Sequence, residues 1–282
     1  MLDFSLYACE NALQLLAGFC GPPMSKTHDS SRQSSRLAQR SNALGTTYSP
    51  LYQQIKTLLL QRLDEGEWRP GESIPSEHEL AARFQVSQGT VRKAIDELAA
   101  ENLLIRRQGK GTFVPTHSEP KVRFRFLKLT PDDGHQPVSG SEIIDCQRLR
   151  APAEIAQHLQ LKTAATVVRI RRLLSFDGQP TIFDDIWLPG RVFRGVNEDT
   201  VRANDSPLYA WFEVEFGVSM VRADEAIRAV AAQAEAVQYL GVPAGRPLLQ
   251  VDRVSYTYGD RPMEFRRGLY ITERFHYRHT LS

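Results

Sequence analysis

The chain has 282 residues and a formal net charge of +2, with 41% hydrophobic and 24% charged residues. This length exceeds the usual single-domain range and the apolar content can fill two cores, which excludes a wholly disordered chain. The three cysteines, Cys9, Cys20 and Cys146, are odd in number and widely spaced, which excludes a disulfide framework and a cysteine metal site. We therefore expect a two-domain globular protein of the reducing cytoplasm.

Residues 1–47 are expected to form a disordered N-terminal extension. The apolar patch from Leu13 to Phe19 is too short to span a bilayer, and it follows Asp3 and Glu10 instead of lysine or arginine. It is therefore neither a signal peptide nor a membrane anchor. The stretch Ser25–Thr47 is rich in Ser, Gln and Arg, so its arginines either stay solvated or touch DNA nonspecifically.

The first ordered element is predicted to be a helix from Pro50 to Leu63. The apolar residues expected to face the core from this helix are Leu51, Ile55, Leu58 and Leu59. Ser76 precedes the next apolar run and Glu79 follows three residues later, so the two side chains can cap each other's backbone and start a second helix. Ser87 can cap a third helix after the short turn Gln85–Val86. Two compact helices joined by so tight a turn indicate a helix-turn-helix.

Polar residues near the start of the third helix lie off its apolar stripe. Gln88, Thr90, Arg92 and Lys93 can reach the base edges and phosphates of DNA. Arg92 can fork onto a guanine, and Gln88 can pair with an adenine. The basic segment Arg106–Val114 is predicted to form two short strands around a glycine turn. Because basic residues outnumber acidic ones across this region, double-stranded DNA is the expected partner.

Short motifs occur in order along residues 49–114. They are Pro50-Leu51-Tyr52-Gln53-Gln54-Ile55, Trp68-Arg69-Pro70-Gly71, Pro75-Ser76-Glu77, Val86-Ser87, Thr90-Val91-Arg92 and Gly109-Lys110-Gly111-Thr112-Phe113-Val114. The segment closely resembles the winged helix-turn-helix of GntR-family transcriptional regulators, which implies a DNA-binding domain over residues 48–115. Together with the residue chemistry, the resemblance predicts DNA contacts from His78, Ser87, Gln88, Gly89, Thr90, Arg92, Lys93, Arg107, Gly109 and Lys110. His78 and Gln88 stand where that family commonly has arginine, a departure that bears on the operator sequence.

Residues 116–121 are predicted to be a linker, because Pro115–Pro120 lacks periodicity, and residues 122–282 a second domain. Its predicted helices are Pro152–Leu159, Pro207–Phe216 and Ala231–Leu240, the last two stopped by Gly217 and Gly241. Its predicted strands are Val167–Phe176, Thr181–Leu188, Val218–Val230, Leu248–Tyr258 and Met263–Ile271. Successive hairpins favour a mostly antiparallel sheet, and hence an α+β fold.

A weak internal repeat links two parts of this second domain. Adding 81 to the numbers of Glu154, Leu159, Val167, Arg172 and Gly178 leads to Glu235, Leu240, Leu248, Arg253 and Gly259. Each copy is predicted to be a helix followed by a hairpin. We therefore expect two pseudo-equivalent halves of one sheet with a cleft between them.

A second set of motifs occurs in this domain. They are Ile143-Ile144-Asp145-Cys146, Asp177-Gly178-Gln179-Pro180, Leu188-Pro189, Pro207-Leu208-Tyr209, Phe216-Gly217, Pro262-Met263-Glu264 and Tyr270. The domain resembles the UTRA effector domain of the HutC subfamily, whose fold is similar to chorismate lyase and which binds small polar, often anionic metabolites. The resemblance implies an effector site of Arg169, Arg171, Asp184, Ser206, Tyr209, Glu264 and Tyr270. Such a ligand could be bound by the guanidinium groups of the arginines, by the start of a helix and by the carboxylates. The arginines equally fit surface ion pairs, and the tyrosines equally fit the hydrophobic core.

An enzymatic function has little support in the residue pattern. The histidines form no recognisable metal pair, and neither a Gly-x-Ser-x-Gly elbow nor a phosphate loop occurs. We expect no enzyme, no cofactor and no metal; the alternative is a DNA-tethered small-molecule enzyme with a lyase-like C-terminal domain. A metal-dependent sensor of the sister subfamily, with a helical effector domain, conflicts with the predicted strands. The favoured hypothesis is a homodimeric repressor that a small effector releases from a palindromic operator.

Overall fold

The computed structural model describes residues 49–117, 128–135 and 137–278. Residues 49–282 form one compact unit. The predicted extension, residues 1–47, lies outside the described residues, and so does the predicted linker from residue 118 onward.

The N-terminal part consists of three helices and a hairpin. Helix α1 spans Leu51–Asp64, α2 spans Glu77–Phe84 and α3 spans Gln88–Ala100. Strands β1 (Ile105–Arg107) and β2 (Gly111–Phe113) pair antiparallel after α3 and form the hairpin called the wing. This arrangement confirms the predicted winged helix-turn-helix.

Local side-chain caps define the tight turn between α2 and α3. The Ser76 hydroxyl accepts a hydrogen bond from the Glu79 backbone N–H at 3.3 Å, and the Glu79 carboxylate accepts one from the Ser76 N–H at 2.8 Å. Gln85, the residue that follows α2, has a left-handed conformation with φ of 54° and ends the helix. The Ser87 hydroxyl then accepts from the Thr90 N–H at 3.1 Å and starts α3. The predicted capping box and the predicted Ser87 cap are both confirmed.

The core of this part is assembled from one stripe of α1 and the inner faces of α2 and α3. The buried residues of α1 are Ile55, Leu59 and Leu63, which follow one line at four-residue spacing. Leu51 and Leu58, predicted to face the same core, are 51% and 38% exposed. The prediction was wrong for these two: Leu58 lies beside that line, and Leu51 lies on it but is the first residue of α1. The other helices and the wing contribute Leu80, Val91, Ile95, Leu98, Leu104 and Val114.

The C-terminal part is built on a six-stranded sheet in which every pair of neighbours is antiparallel. A separate pair of short strands is formed by β3 (Leu129–Pro131) and β10 (Phe275–Tyr277). The strands of the large sheet are β4 (Ser139–Arg150), β5 (Thr166–Phe176), β6 (Gln179–Pro189), β7 (Arg222–Ala231), β8 (Pro247–Thr257) and β9 (Arg261–Tyr270). They lie in the order β4-β5-β6-β9-β8-β7. The mostly antiparallel α+β prediction is confirmed.

Helices pack on both faces of this sheet. They are α4 (Ala153–His158), α5 (Glu198–Arg202), α6 (Leu208–Phe216) and α7 (Ala234–Leu240). Helices α4 and α7 pack against one face, and α5 and α6 against the other. The strand predicted from Val218 begins only at Arg222, because Val218 and Met220 are loop residues buried in the core around α6.

The internal repeat corresponds to two copies of a helix followed by a hairpin, α4-β5-β6 and α7-β8-β9. The β5–β6 register shifts between Leu174 and Ser175, and the β8–β9 register shifts between Ser255 and Tyr256, which is the same place in each copy. The copies meet where β6 pairs with β9. Residues at equivalent positions therefore approach one another near the middle of the sheet.

Candidate DNA-binding surface and effector cavity

The predicted DNA-binding residues lie at the start and on the outer side of α3, on the wing and, for His78, in the first turn of α2. Each of them is exposed or half-buried, whereas Val91, Ala94, Ile95 and Leu98 form the buried side of α3. The Lys93 ammonium lies 3.8 Å from the centre of the Tyr52 ring, and the Arg107 guanidinium 4.5 Å from that of Phe113. Aromatic rings of α1 and β2 thus support two of the cations without burying them.

One carboxylate connects the two parts of this surface. Glu77, at the start of α2, accepts hydrogen bonds from Arg92 Nε at 2.9 Å, Gln88 Nε2 at 3.3 Å and Arg106 Nη2 at 2.9 Å. Burial would raise the pKa of Glu77, but the bonds from Arg106, Arg92 and Gln88 outweigh it and lower the pKa. Neither Glu77 nor Arg106 was predicted as a site residue. The Ser-Glu motif marks Glu77 in the sequence, but its contacts depend on the fold.

A cavity of about 600 Å³ opens between α6 and the face of the sheet that α6 covers. Its lining includes Arg172 on β5, Asp184 on β6, Arg253 on β8, Arg266 on β9 and the Ser206–Tyr209 segment at the start of α6. Charged groups from both copies of the repeat thus meet in one polar site.

A buried network of ion pairs forms the floor of this cavity. Asp184 accepts hydrogen bonds from Arg172 Nε at 2.9 Å and Arg266 Nη1 at 3.3 Å. Arg266 Nε also donates to Glu264 at 2.7 Å, and the Tyr209 hydroxyl donates to the same carboxylate at 3.1 Å. Asp184, Glu264 and Arg266 are all less than a tenth exposed. Pairing of this kind offsets the cost of burying such groups.

The electrostatics of the floor favour an ionised carboxylate beside neutral phenols. Burial would raise the pKa of Asp184, but the charges of Arg266 and Arg172 outweigh it and lower the pKa. Burial, together with the charge of Asp184, raises the pKa of Tyr270 to about 12. The Oδ1 atom of Asp184 is buried and accepts no hydrogen bond from the described residues. A hydrogen-bond donor in the cavity could satisfy it.

The start of α6 supplies a different kind of group. Pro207 precedes the helix and offers no side-chain cap. The Asn204 side chain instead bonds both backbone groups of Ser206, accepting from the N–H at 3.1 Å and donating to the carbonyl at 2.7 Å. Because Ser206–Tyr209 line the cavity, the start of α6 lies there, and the dipole of this helix favours a negative charge at that end.

The structure brings together some of the predicted effector residues and separates others. Asp184, Ser206, Tyr209 and Tyr270 line the cavity, and Glu264 lies under it through its bond to Tyr209.

Arg169 and Arg171 lie on the opposite face of β5, which corrects their choice as cavity residues. There Arg169 pairs with Asp185 at 2.7 Å and Arg171 with Asp145 at 3.0 Å. Successive residues of a strand face opposite sides, so the neighbouring Arg172 is the one that reaches the cavity. Arg253 was also missed, although the repeat places it at the position equivalent to Arg172.

Neither a membrane-spanning helix nor a metal-binding cluster occurs in the described part of the chain. Within the described ranges, no helix is long and apolar enough to cross a membrane. In the same ranges, no group of three or more His, Cys, Asp or Glu side chains could hold a metal ion.

A winged helix-turn-helix joined to a domain with a polar cavity defines a ligand-responsive, DNA-binding transcriptional regulator. Comparison with known families agrees: residues 51–114 match the model of the bacterial regulatory proteins of the gntR family, and residues 134–276 match the UTRA domain. The chain belongs to the GntR family and carries a UTRA domain.

Two curated relatives and one solved structure are similar to the chain. The uncharacterized HTH-type transcriptional regulator YurK of Bacillus subtilis (strain 168) is 30% identical over 219 residues, covering 76% of this chain and 88% of YurK. The HTH-type transcriptional repressor NagR of the same strain is 29% identical over 239 residues, covering 83% of this chain and 95% of NagR. The crystal structure of the ligand-binding domain of a proposed GntR-family regulator from Bordetella bronchiseptica is 59% identical, with a TM-score of 0.55, and covers 56% of this chain and 98% of that one.

Proposed function

We propose that this protein is a cytoplasmic repressor of the HutC subfamily, which binds a palindromic operator as a homodimer and leaves it when a small polar or anionic effector fills the cavity. Two-fold symmetry of the protein would match two operator half-sites. The observation that carries the proposal is that α6 contributes both to the cavity and to the attachment of the DNA-binding domain.

That attachment is made by Glu213. Its carboxylate accepts hydrogen bonds from the Thr116 hydroxyl at 2.9 Å and the His117 backbone N–H at 3.0 Å, and it contacts His117 Nδ1 at 2.7 Å. Thr116 and His117 follow the wing by a few residues, and Glu213 is one helical turn from Tyr209 in the cavity. A ligand that moves the start of α6 would therefore alter the hold on the DNA-binding domain.

The cavity chemistry supports a specific class of effector. Arginines and the start of α6 suit an acidic group, because charge-assisted hydrogen bonds and the helix dipole both favour an anion. The unsatisfied Oδ1 of Asp184 suits a hydroxyl or amino donor on the same molecule. We infer that the effector is a small acid that also carries hydroxyl or amino groups.

The coupling follows from linkage. An effector that prefers the free protein lowers operator affinity, and the operator must lower effector affinity by the same factor. The experiment uses the full chain and a duplex that it enriches from a random-sequence library. Small hydroxy and amino acids are screened by thermal shift, and each hit is tested for release of the duplex, with the matching polyol and the matching simple acid as controls.

We expect the hydroxy or amino acid to release DNA and its two controls to fail. Equal effector affinity of free and DNA-bound protein would contradict the coupling. Conversion of the hit to a product, without DNA release, would support the alternative of a DNA-tethered enzyme.

A further inference from the structure

The Glu77 carboxylate has more contacts than a helix start requires. The helix dipole alone favours an acidic side chain in the first turn of a helix, and that side chain can remain in water. The Glu77 side chain is instead only 15% exposed, and its two oxygens bond side chains from α3 and β1. Glu77 therefore joins three elements of the DNA-binding domain at one point.

The geometry of Arg92 shows what this junction leaves available. Arg92 bonds Glu77 through Nε at 2.9 Å, while its side chain is 59% exposed. A guanidinium held through Nε still presents its two terminal amino groups, the pair that forks onto the N7 and O6 of guanine. Gln88, one turn earlier on α3, is bonded to the same Glu77 oxygen. The carboxylate thus restrains two predicted base-reading side chains together.

The negative charge of Glu77 affects specific and nonspecific DNA binding differently. A carboxylate beside DNA repels phosphates, so it opposes the sequence-independent part of binding. It favours the sequence-dependent part if it holds Arg92 and Gln88 in place, because ordering flexible side chains before binding lowers the entropy cost of the contact. The two components of DNA affinity should therefore respond in opposite directions when the charge is removed.

We propose that Glu77 is a positioning residue of the DNA-binding surface, which orients Arg92 and Gln88 for base contacts and thereby sets the ratio of specific to nonspecific DNA affinity. This proposal rests on the DNA-binding surface described above. Arg106 shares the same carboxylate at 2.9 Å and also contacts Asp96 at 2.7 Å, so it ties the wing to the same junction.

The test measures binding of the full chain to the duplex that the wild type enriches from a random library and to a scrambled duplex of equal length. The variant is Glu77→Gln, which keeps the shape and removes the charge. Asp96→Asn is the matched control, because it removes a carboxylate from Arg106 without touching Arg92 or Gln88. We expect Glu77→Gln to reduce the affinity ratio about tenfold, the discrimination that one good base contact supplies. Its affinity for the scrambled duplex should stay the same or rise.

A double-mutant cycle separates positioning from a general structural effect. In a background that carries both Arg92→Ala and Gln88→Ala, adding Glu77→Gln should change the specific affinity by about twofold or less, because both side chains through which Glu77 acts are gone. Should Glu77→Gln fail to fold, Arg92→Lys probes the same contact from the other side, since lysine lacks both the Nε bond and the fork.

Three outcomes would overturn the proposal. Glu77→Gln could discriminate as well as Asp96→Asn, it could lose the same factor on both duplexes, or its effect could persist in full without Arg92 and Gln88. A wild-type protein that does not distinguish the duplexes would refute the DNA-binding surface itself, and Glu77 with it.

Discussion

Arg171 and Arg172 are adjacent in the chain and have different surroundings. Arg171 pairs with Asp145 on one face of the sheet, whereas Arg172 pairs with Asp184 in the cavity floor. The sequence predicts a strand rich in arginine, but only its register decides which arginines face the ligand. Asp184, Tyr209 and Tyr270 could be predicted because motifs fix their positions. Arg253 is marked only by the weak repeat, and Arg266 is not marked at all, because its bond to Asp184 joins strands that are distant in the sequence.

Asp184→Asn should destabilise the protein by about 3–5 kcal/mol, because it leaves two buried guanidinium groups without their shared carboxylate. Urea unfolding measures this loss. The control is Asp185→Asn, the next residue on β6, whose partner Arg169 lies on the other face of the sheet; we expect a change of about 1 kcal/mol or less.

The same residue predicts a pH dependence. The pKa of Asp184 is lowered in the folded state, so its charge stabilises the fold above the unfolded value and that stabilisation is lost as the pH falls through the folded value. The difference in unfolding free energy between wild type and Asp184→Asn should therefore shrink below about pH 4. A difference that is constant down to acid unfolding would argue against an ionised Asp184.

Arg92→Ala should reduce specific DNA binding by about 1–3 kcal/mol, because it removes a side chain placed to read a base edge. Anisotropy titration with the enriched duplex measures this change. Arg62→Ala removes an equal charge from α1, where Arg62 pairs with Glu65, and should have a smaller effect. An unchanged footprint for Arg92→Ala would contradict its assignment.

At the scale of elements, the sequence predicts those whose ends carry local signals. The capping box starts α2, and Gly217 and Gly241 end α6 and α7 in left-handed conformation. The elements that were missed are β3, β10 and α5, which have only three to five residues each, and β4, a twelve-residue edge strand whose residues are all exposed or half-buried. Their pairing or packing partners are remote in sequence, so a local pattern does not specify them.

Helix α6 is the element that joins cavity to DNA-binding domain. Glu213→Gln should reduce the effect of a bound effector on operator affinity by about 1 kcal/mol or more, because it weakens the bonds to Thr116 and His117. The comparison is operator affinity with and without effector. Glu215→Gln, an exposed position on the same helix, should leave that effect as in the wild type. Equal coupling in both variants would remove Glu213 from the mechanism.

At the scale of the whole molecule, the two domains share part of one core. A short turn, Tyr258–Asp260, connects β8 to β9. Tyr258 from this turn and Val221 before β7 are buried in the same cluster as Leu59 of α1 and Ile95 of α3. The Arg261 side chain also pairs with Asp64 at the end of α1. The sequence predicts only a hairpin turn here, because the contact joins residues almost two hundred positions apart.

Tyr258→Ala should cost about 3–5 kcal/mol, the usual loss for a large buried aromatic side chain. Calorimetry should show the DNA-binding domain melting ahead of the rest. Tyr258→Phe should be neutral or slightly stabilising, because the buried hydroxyl has no hydrogen-bond partner among the described residues. A large loss for Tyr258→Phe would show that the hydroxyl is satisfied after all.

This turn also limits how the protein can be re-engineered. In a chimaera, the DNA-binding domain of this protein would be fused to the effector domain of another protein. Even with a well-chosen fusion point, α1 would then face a β8–β9 turn of different shape. Transferring Tyr258 and Arg261 together with the DNA-binding domain should restore the contact with α1. Modular exchange in biosensor construction would then need two splice sites in place of one.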